Sequence, residues 1–163
     1  MRHRRAATVD PLHLRRRAYD VTTTSSEAAA PSTVDPEVAA VASVPGRLVA
    51  AWAAHDAEAV TDLFTADGTM ILPGVFRKGV EDIRAFWTEA FEGHYRGTRV
   101  TGKPLDLRFL NSDTAIVVTV GGVLAPGDET VTDERAIRAT WVVVKRDGGW
   151  KLAAYHNSPR DAA

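Results

Sequence analysis

Four long strand-like segments fill the last third of the chain, each divided from the next by a turn signal, and they limit what this sequence can fold into. They span residues 98–110, 114–124, 134–146 and 150–157. The breaks between them are Asn111-Ser112-Asp113, Ala125-Pro126-Gly127-Asp128 and Asp147-Gly148-Gly149. An Asp-Gly pair between two apolar runs is a strong hairpin signal, because the tight turn it forms needs positive φ at its centre. Strands joined this closely pair antiparallel, so residues 98–157 predict a meander.

The residues before the meander predict helices. Asp35-Pro36-Glu37 reads as an N-cap, a proline at the first helical position and an acid in the first turn. Val38, Val41, Leu48, Val49 and Trp52 then recur at helical spacing to about His55, with Pro45-Gly46 predicting a kink or a break. Asp56 reads as a second N-cap, opening a short helix whose apolar face is Val60, Leu63 and Phe64 and which Ala66-Asp67-Gly68 closes. A short strand over 69–72 ends at Pro73-Gly74, and Phe76 leads a brief return. After Gly79, the spacing of Val80, Ile83, Phe86, Trp87, Ala90 and Phe91 predicts a third helix ending near Gly93. The expected fold class is α+β: three N-terminal helices packed in a strongly curved, mostly antiparallel sheet that forms a cone with an interior pocket.

Residues 1–34 have another character. They hold six arginines against three acids, whereas the rest of the chain carries 14 basic and 18 acidic residues. The second half of this stretch is rich in Thr, Ser, Ala and Pro, a linker composition. The expected division is a disordered arginine-rich arm and linker over 1–34 and a folded domain over 35–160. The arm is either solubilising or a docking element; a start site further in is the alternative reading of residues 1–20. A secretory or twin-arginine signal is not expected, since no apolar segment follows the arginines. The mildly acidic body has no electrostatic footprint for nucleic acid. No apolar run approaches the roughly 18 residues that would span a membrane as a helix. The chain has no cysteine, so it has no disulfide, no thiolate nucleophile and no Cys-ligated zinc, a composition that fits a reducing cytoplasm.

This order of elements resembles the nuclear transport factor two-like superfamily, which includes ketosteroid isomerase, scytalone dehydratase and the SnoaL-like polyketide cyclases. Three stretches narrow the resemblance: residues 51–56 (AWAAHD), 64–69 (FTADGT) and 145–157 (KRDGGWKLAAYHN). Together they look like the small proteins of enediyne polyketide gene clusters. The resemblance implies a homodimer through the outer sheet face, a small apolar polyketide-like ligand in the pocket and transient contact with a polyketide synthase.

The resemblance also tests the chemistry. Ketosteroid isomerase works with a tyrosine and two aspartates, and the matching positions here fall near Leu48, Leu72 and Trp141, all apolar. A leucine neither accepts a proton nor donates to an oxyanion, so that mechanism is not expected. His55, His94 and His156 are far apart in sequence and no carboxylate pair sits at ligand spacing, so no metal site is expected. No glycine-rich dinucleotide loop or flavin or haem pattern occurs, so no cofactor is expected.

The candidates for pocket polarity lie elsewhere. Tyr155, His156 and Asn157 end the last strand, where neighbours alternate faces; the family pattern turns Tyr155 and Asn157 inward. His156 is then a core or dimer-face histidine, or else an acid–base group. His94 and Tyr95 follow the third helix at the expected mouth of the cone. Trp52, Trp87 and Trp141, with Leu48 and Leu72, either wall a ligand pocket or form ordinary core. Arg138, among apolar residues in mid-strand, faces solvent or the dimer partner, or anchors an anion. Two functions of different class follow: a binding protein that holds an apolar polyene or polyketide intermediate, and a cofactor-independent cyclase or isomerase using His156, Asn157 or Tyr155.

Overall fold

A computed structural model describes residues 35–161. The expected arm over 1–34 lies outside the described residues. Helix α1 (Pro36–Ala53) begins as its sequence dictates, with the Asp35 carboxylate accepting from the Glu37 backbone N–H at 2.8 Å. It runs unbroken through Pro45, where a kink or break was expected; Val41, Val44, Leu48, Ala51 and Trp52, buried on both sides of the proline, hold it to the core. Asp56 caps α2 (Ala57–Thr61) by accepting from the Ala59 backbone N–H at 2.9 Å.

The next boundary differs from expectation. Leu63 and Phe64 are not on α2, and Ala66-Asp67-Gly68 does not close it. Instead β1 (Phe64–Leu72) starts at once, with a register irregularity between Phe64 and Thr69. The three turn-like residues sit in that irregularity, where strand pairing to the neighbouring β6 lapses. Strand β2 (Val75–Lys78) hairpins back on β1, and α3 (Val80–Glu92) follows Gly79 as its apolar spacing requires.

The meander forms as read: β3 (Arg99–Asn111), β4 (Thr114–Leu124), β5 (Ala136–Arg146) and β6 (Gly149–Pro159), each antiparallel to the next. A 3-10 turn, Asp133–Arg135, leads into β5. Asp147 and Gly148 both take positive φ, 51° and 78°, as a tight two-residue hairpin needs. The sheet order is β2-β1-β6-β5-β4-β3, with β1 parallel to β6. The three helices cover one face, and Val41, Val44, Ile83, Trp87, Met70, Val117, Val143 and Leu152 are almost fully buried between the layers.

Sheet curvature has a local cause. At Gly121 a Cβ would overlap the Thr101 carbonyl oxygen and lie 2.8 Å from the Cα of Gly102. Strand β3 therefore closes over β4 at a distance only glycine permits.

One ion pair ties the start of α1 to the far hairpin. Glu37 accepts from the Lys145 ammonium at 2.7 Å and from the Trp150 indole N–H at 2.9 Å. The Lys145 hydrogen bond, then that of Trp150, holds the Glu37 carboxyl below its ordinary value of 4.5. A carboxylate with a lowered folded pKa stabilises the fold above its unfolded value and loses that contribution as pH falls through the folded one. Thermal melts of wild type and Glu37→Gln should therefore differ at pH 7, with the variant melting lower, and the gap should close as pH falls below 4.5 and through the lowered folded value. Curves that stay parallel down to pH 3 would show that the carboxylate charge contributes nothing.

Candidate functional site

The start of β3, the end of β4, the start of β5 and the end of β6 all lie at one end of an up-and-down meander. There, with the β1–β2 turn and the α3–β3 loop, they enclose a cleft of about 580 Å³. Leu72, Pro73 and Val75 form one wall, and Val123, Ala125, Pro126 and Ile137 form the other. His94, Tyr95, Arg96 and Thr98 come from the loop after α3, Arg135 from the 3-10 turn and Asn157 from β6.

Two side-chain hydrogen bonds join the backbone ones in fixing the loop after α3. The Trp52 indole N–H donates to the Thr98 hydroxyl at 3.0 Å, and that hydroxyl donates to the Tyr95 carbonyl at 2.7 Å. Thr98 is buried, and the Tyr95 ring lies 4.7 Å from Trp52 and 4.7 Å from His94. Tyr95 is thus both the inner wall of the cleft and the outer edge of an aromatic cluster with Trp52, Trp87 and Phe91. His94 and Arg96 are exposed at the rim.

Deeper in, Asn157 donates from Nδ2 to the Tyr155 hydroxyl at 3.1 Å. Burial pushes the Tyr155 hydroxyl up to about 12; the Asn157 bond opposes this and the nearby Tyr95 adds to it. Burial also raises Tyr95. Both tyrosines are therefore neutral hydroxyls at physiological pH, able to donate or accept a hydrogen bond but not to act as bases. The Asn157 Oδ1 atom is buried and has no protein partner, an acceptor left over at the inner end of the cleft.

The sequence candidates divide among three places. Leu72, His94, Tyr95 and Asn157 line the cleft. Leu48, Trp141 and Tyr155 line a narrow void of about 20 Å³ between α1 and the sheet, too small for an organic ligand. Trp52 and Trp87, at 5% and 2% exposure, pack on each other with ring centres 5.0 Å apart. Trp141 lies edge-on to Tyr155 at 4.7 Å and donates to the Thr119 hydroxyl at 2.9 Å. The interior of the cone is filled, and the usable space is at its mouth.

His156 stands on the opposite face from Tyr155 and Asn157, exposed, beside Thr140 and Ile71 in the neighbouring strands. Arg138 is exposed on that outer face as well. Arg96, Thr98, Arg135 and Ile137 are cleft residues that the sequence reading missed. Among the described residues no group of three or more His, Asp or Glu converges as a metal site, and no helix is long and apolar enough to cross a membrane.

The helix-lined sheet with its cleft at the mouth is the architecture of the nuclear transport factor two-like, cystatin-like folds. The family model for the SnoaL-like domain matches residues 41–162, and the chain belongs to that family. A domain of unknown function with a cystatin-like fold from Nostoc punctiforme is similar in structure, with a TM-score of 0.73 at 27% identity over 80% of this chain and 81% of that one. A nuclear transport factor two-like protein from Novosphingobium aromaticivorans gives a TM-score of 0.66 at 21% identity, covering 77% of this chain and 82% of its own. A ketosteroid isomerase-like protein from Erwinia carotovora atroseptica gives 0.62 at 21% identity, covering 79% of this chain and all of its own. No curated protein matches the chain by sequence.

Proposed function

We propose that this chain is a binding protein of polyketide antibiotic biosynthesis, of the enediyne type, which holds an apolar polyene or polyketide intermediate in its mouth cleft in the cytoplasm. The observation that carries the binding role is the lining of that cleft. It is large enough for a small organic molecule and mainly apolar, and it contains no carboxylate side chain among the described residues. The polar group at its inner end, the Asn157 amide, is neutral, and so is the Tyr155 hydroxyl that it bonds in the filled interior behind. They can orient a hydroxyl or carbonyl without moving a proton from carbon. The enediyne assignment rests on the resemblance of residues 51–56, 64–69 and 145–157, and transient contact with the synthase belongs to that assignment.

A cofactor-independent cyclase or isomerase is the second reading. The unpartnered Asn157 Oδ1 favours it, since it could accept the O–H of an enol at the inner end of the cleft, while polarising a carbonyl would need the Tyr155 hydroxyl behind it as donor. His156, on the outer face, has no part in it.

Titration of intrinsic tryptophan fluorescence with polyketide-derived polyenes tests the binding role. Trp52 and Trp87 touch Tyr95 and lie one residue behind the site, and Trp141 touches Tyr155, which bonds the cleft residue Asn157. Saturable quenching at micromolar ligand is expected. Asn157→Leu should weaken binding of hydroxylated ligands about tenfold, one hydrogen bond to a buried acceptor, and leave hydrocarbon polyenes within twofold. No response to any polyene would sink the binding reading, and many product turnovers per chain would replace it with the enzyme.

We also place a homodimer on the outer sheet face. Ile116, Val118 and Val120 of β4, with Val142 and Val144 of β5, are half-buried apolar side chains on the face the helices leave bare, where Thr140 and Arg138 stand opposite Val118 and Val120. An apolar patch of this kind, rimmed by polar side chains, is a surface that a second copy can cover.

A further inference from the structure

The charge around the cleft is one-sided. Arg96 and Arg135 reach it from the α3–β3 loop and from the 3-10 turn before β5, and the His94 imidazole stands at the rim. No Asp or Glu lines it among the described residues. Arg135 is held in place by Asp128, whose Oδ2 lies 2.8 Å from its Nη1, and Asp128 is in turn fixed by the Ala125 backbone N–H at 3.2 Å. Arg96 has no carboxylate partner among the described residues. The adjoining groove beyond Tyr95 carries Glu89, but also Arg77, so it does not cancel this excess.

We propose that the ligand held here is an apolar monocarboxylate, its chain along Leu72, Val75, Val123 and Ile137 and its carboxylate between Arg96 and Arg135. This rests on the reading of the cleft as an apolar-ligand site. With Asp128 already offsetting Arg135, one guanidinium charge remains uncompensated, which suits a monoanion better than a dianionic phosphate. The planar guanidinium fork matches a carboxylate in two parallel hydrogen bonds. Geometry sets the polarity of the bound chain. Arg135 precedes β5, whereas Asn157 pairs with Ala139 four residues on, so head and floor are roughly 13 Å apart along the strand. The acid end lies at the rim, and any hydroxyl the chain carries reaches inward to Asn157 Oδ1.

The test uses the full chain and three probes of equal length: decanoate, methyl decanoate and decyl phosphate, followed by tryptophan fluorescence at low ionic strength. Decanoate should bind about fivefold more tightly than the ester, the scale of one solvent-accessible charged pair, and 0.5 M salt should erase the difference. Arg96→Gln, a change at an exposed side chain, should equalise acid and ester. Decyl phosphate should gain nothing over decanoate. Equal binding of acid and ester by the wild type overturns the carboxylate assignment and leaves the apolar-ligand reading intact. A tenfold preference for the phosphate, or an acid preference that survives in both Arg96→Gln and Arg135→Gln, overturns it too. Binding of none of the three removes the apolar-ligand reading and this one with it.

Discussion

Replacing Gly121 by alanine is expected to cost the domain about 3 kcal/mol and to lower its thermal midpoint by about 10 °C. The added methyl would overlap the Thr101 carbonyl oxygen and sit 2.6 Å from its carbonyl carbon. Those are backbone atoms of the paired strand, so no rotamer change relieves the overlap, and β3 must move as a unit. Gly122, the next residue, meets the Arg135 backbone from the other face, which blocks the obvious escape of rotating β4. Gly46, with nothing within 4 Å of its would-be Cβ, is the control: alanine there should be neutral or slightly stabilising, since it sits within α1. A Gly121→Ala protein that melts with the wild type would show that β3 and β4 do not approach as closely as described.

The second large effect concerns the outer face. Val118→Glu should turn the proposed dimer into a monomer, raising the dissociation constant about a thousandfold. A carboxylate buried without a partner costs about 2 kcal/mol, and a two-fold interface counts it once from each copy. Val118 is half-exposed in the single chain, between Asp106 and Thr140 on the flanking strands, so the variant monomer should keep its fold. Sedimentation at 1 to 100 µM, with circular dichroism to confirm folding, reads the outcome. A wild type that sediments as a monomer throughout that range disposes of the interface, and so does a Val118→Glu protein that remains dimeric.

Most of the framework was legible because its signals are local. Asp35 and Asp56 cap the helices they precede, Val80 to Phe91 show one helical face, and the three meander turns fall where Asn, Asp, Pro and Gly cluster. The misreadings came from tertiary override. Pro45 signals a break, yet burial of Val41, Val44 and Leu48 keeps α1 whole. Ala66-Asp67-Gly68 signals a turn, yet the residues lie in a strand irregularity beside β6.

The site was half legible. Strand alternation sets Tyr155 and Asn157 against His156, the family resemblance turns the pair inward, and Tyr95 follows from its place after α3. Arg96 and Arg135 were missed because nothing in the local sequence marks a loop arginine as facing a cleft. The signal lay in topology: alternate connections of a meander share an end, which brings 94–98, 125–135 and 157 together. Gly121-Gly122 inside a strand of valines was a further sign, since glycine there marks a close backbone approach.

The strand order has a bearing on how such a chain is made. Strand β6 is the last element of the domain, yet it lies between β1 and β5 near the middle of the sheet. Until it emerges from the ribosome, β1–β2 and β3–β4–β5 are two separate ribbons with open hydrogen-bonding edges. Their pairing waits on residues 149–159, and contacts so distant in sequence close slowly. The nascent protein therefore meets the cell as two sticky halves, and the window for mispairing closes with the final strand.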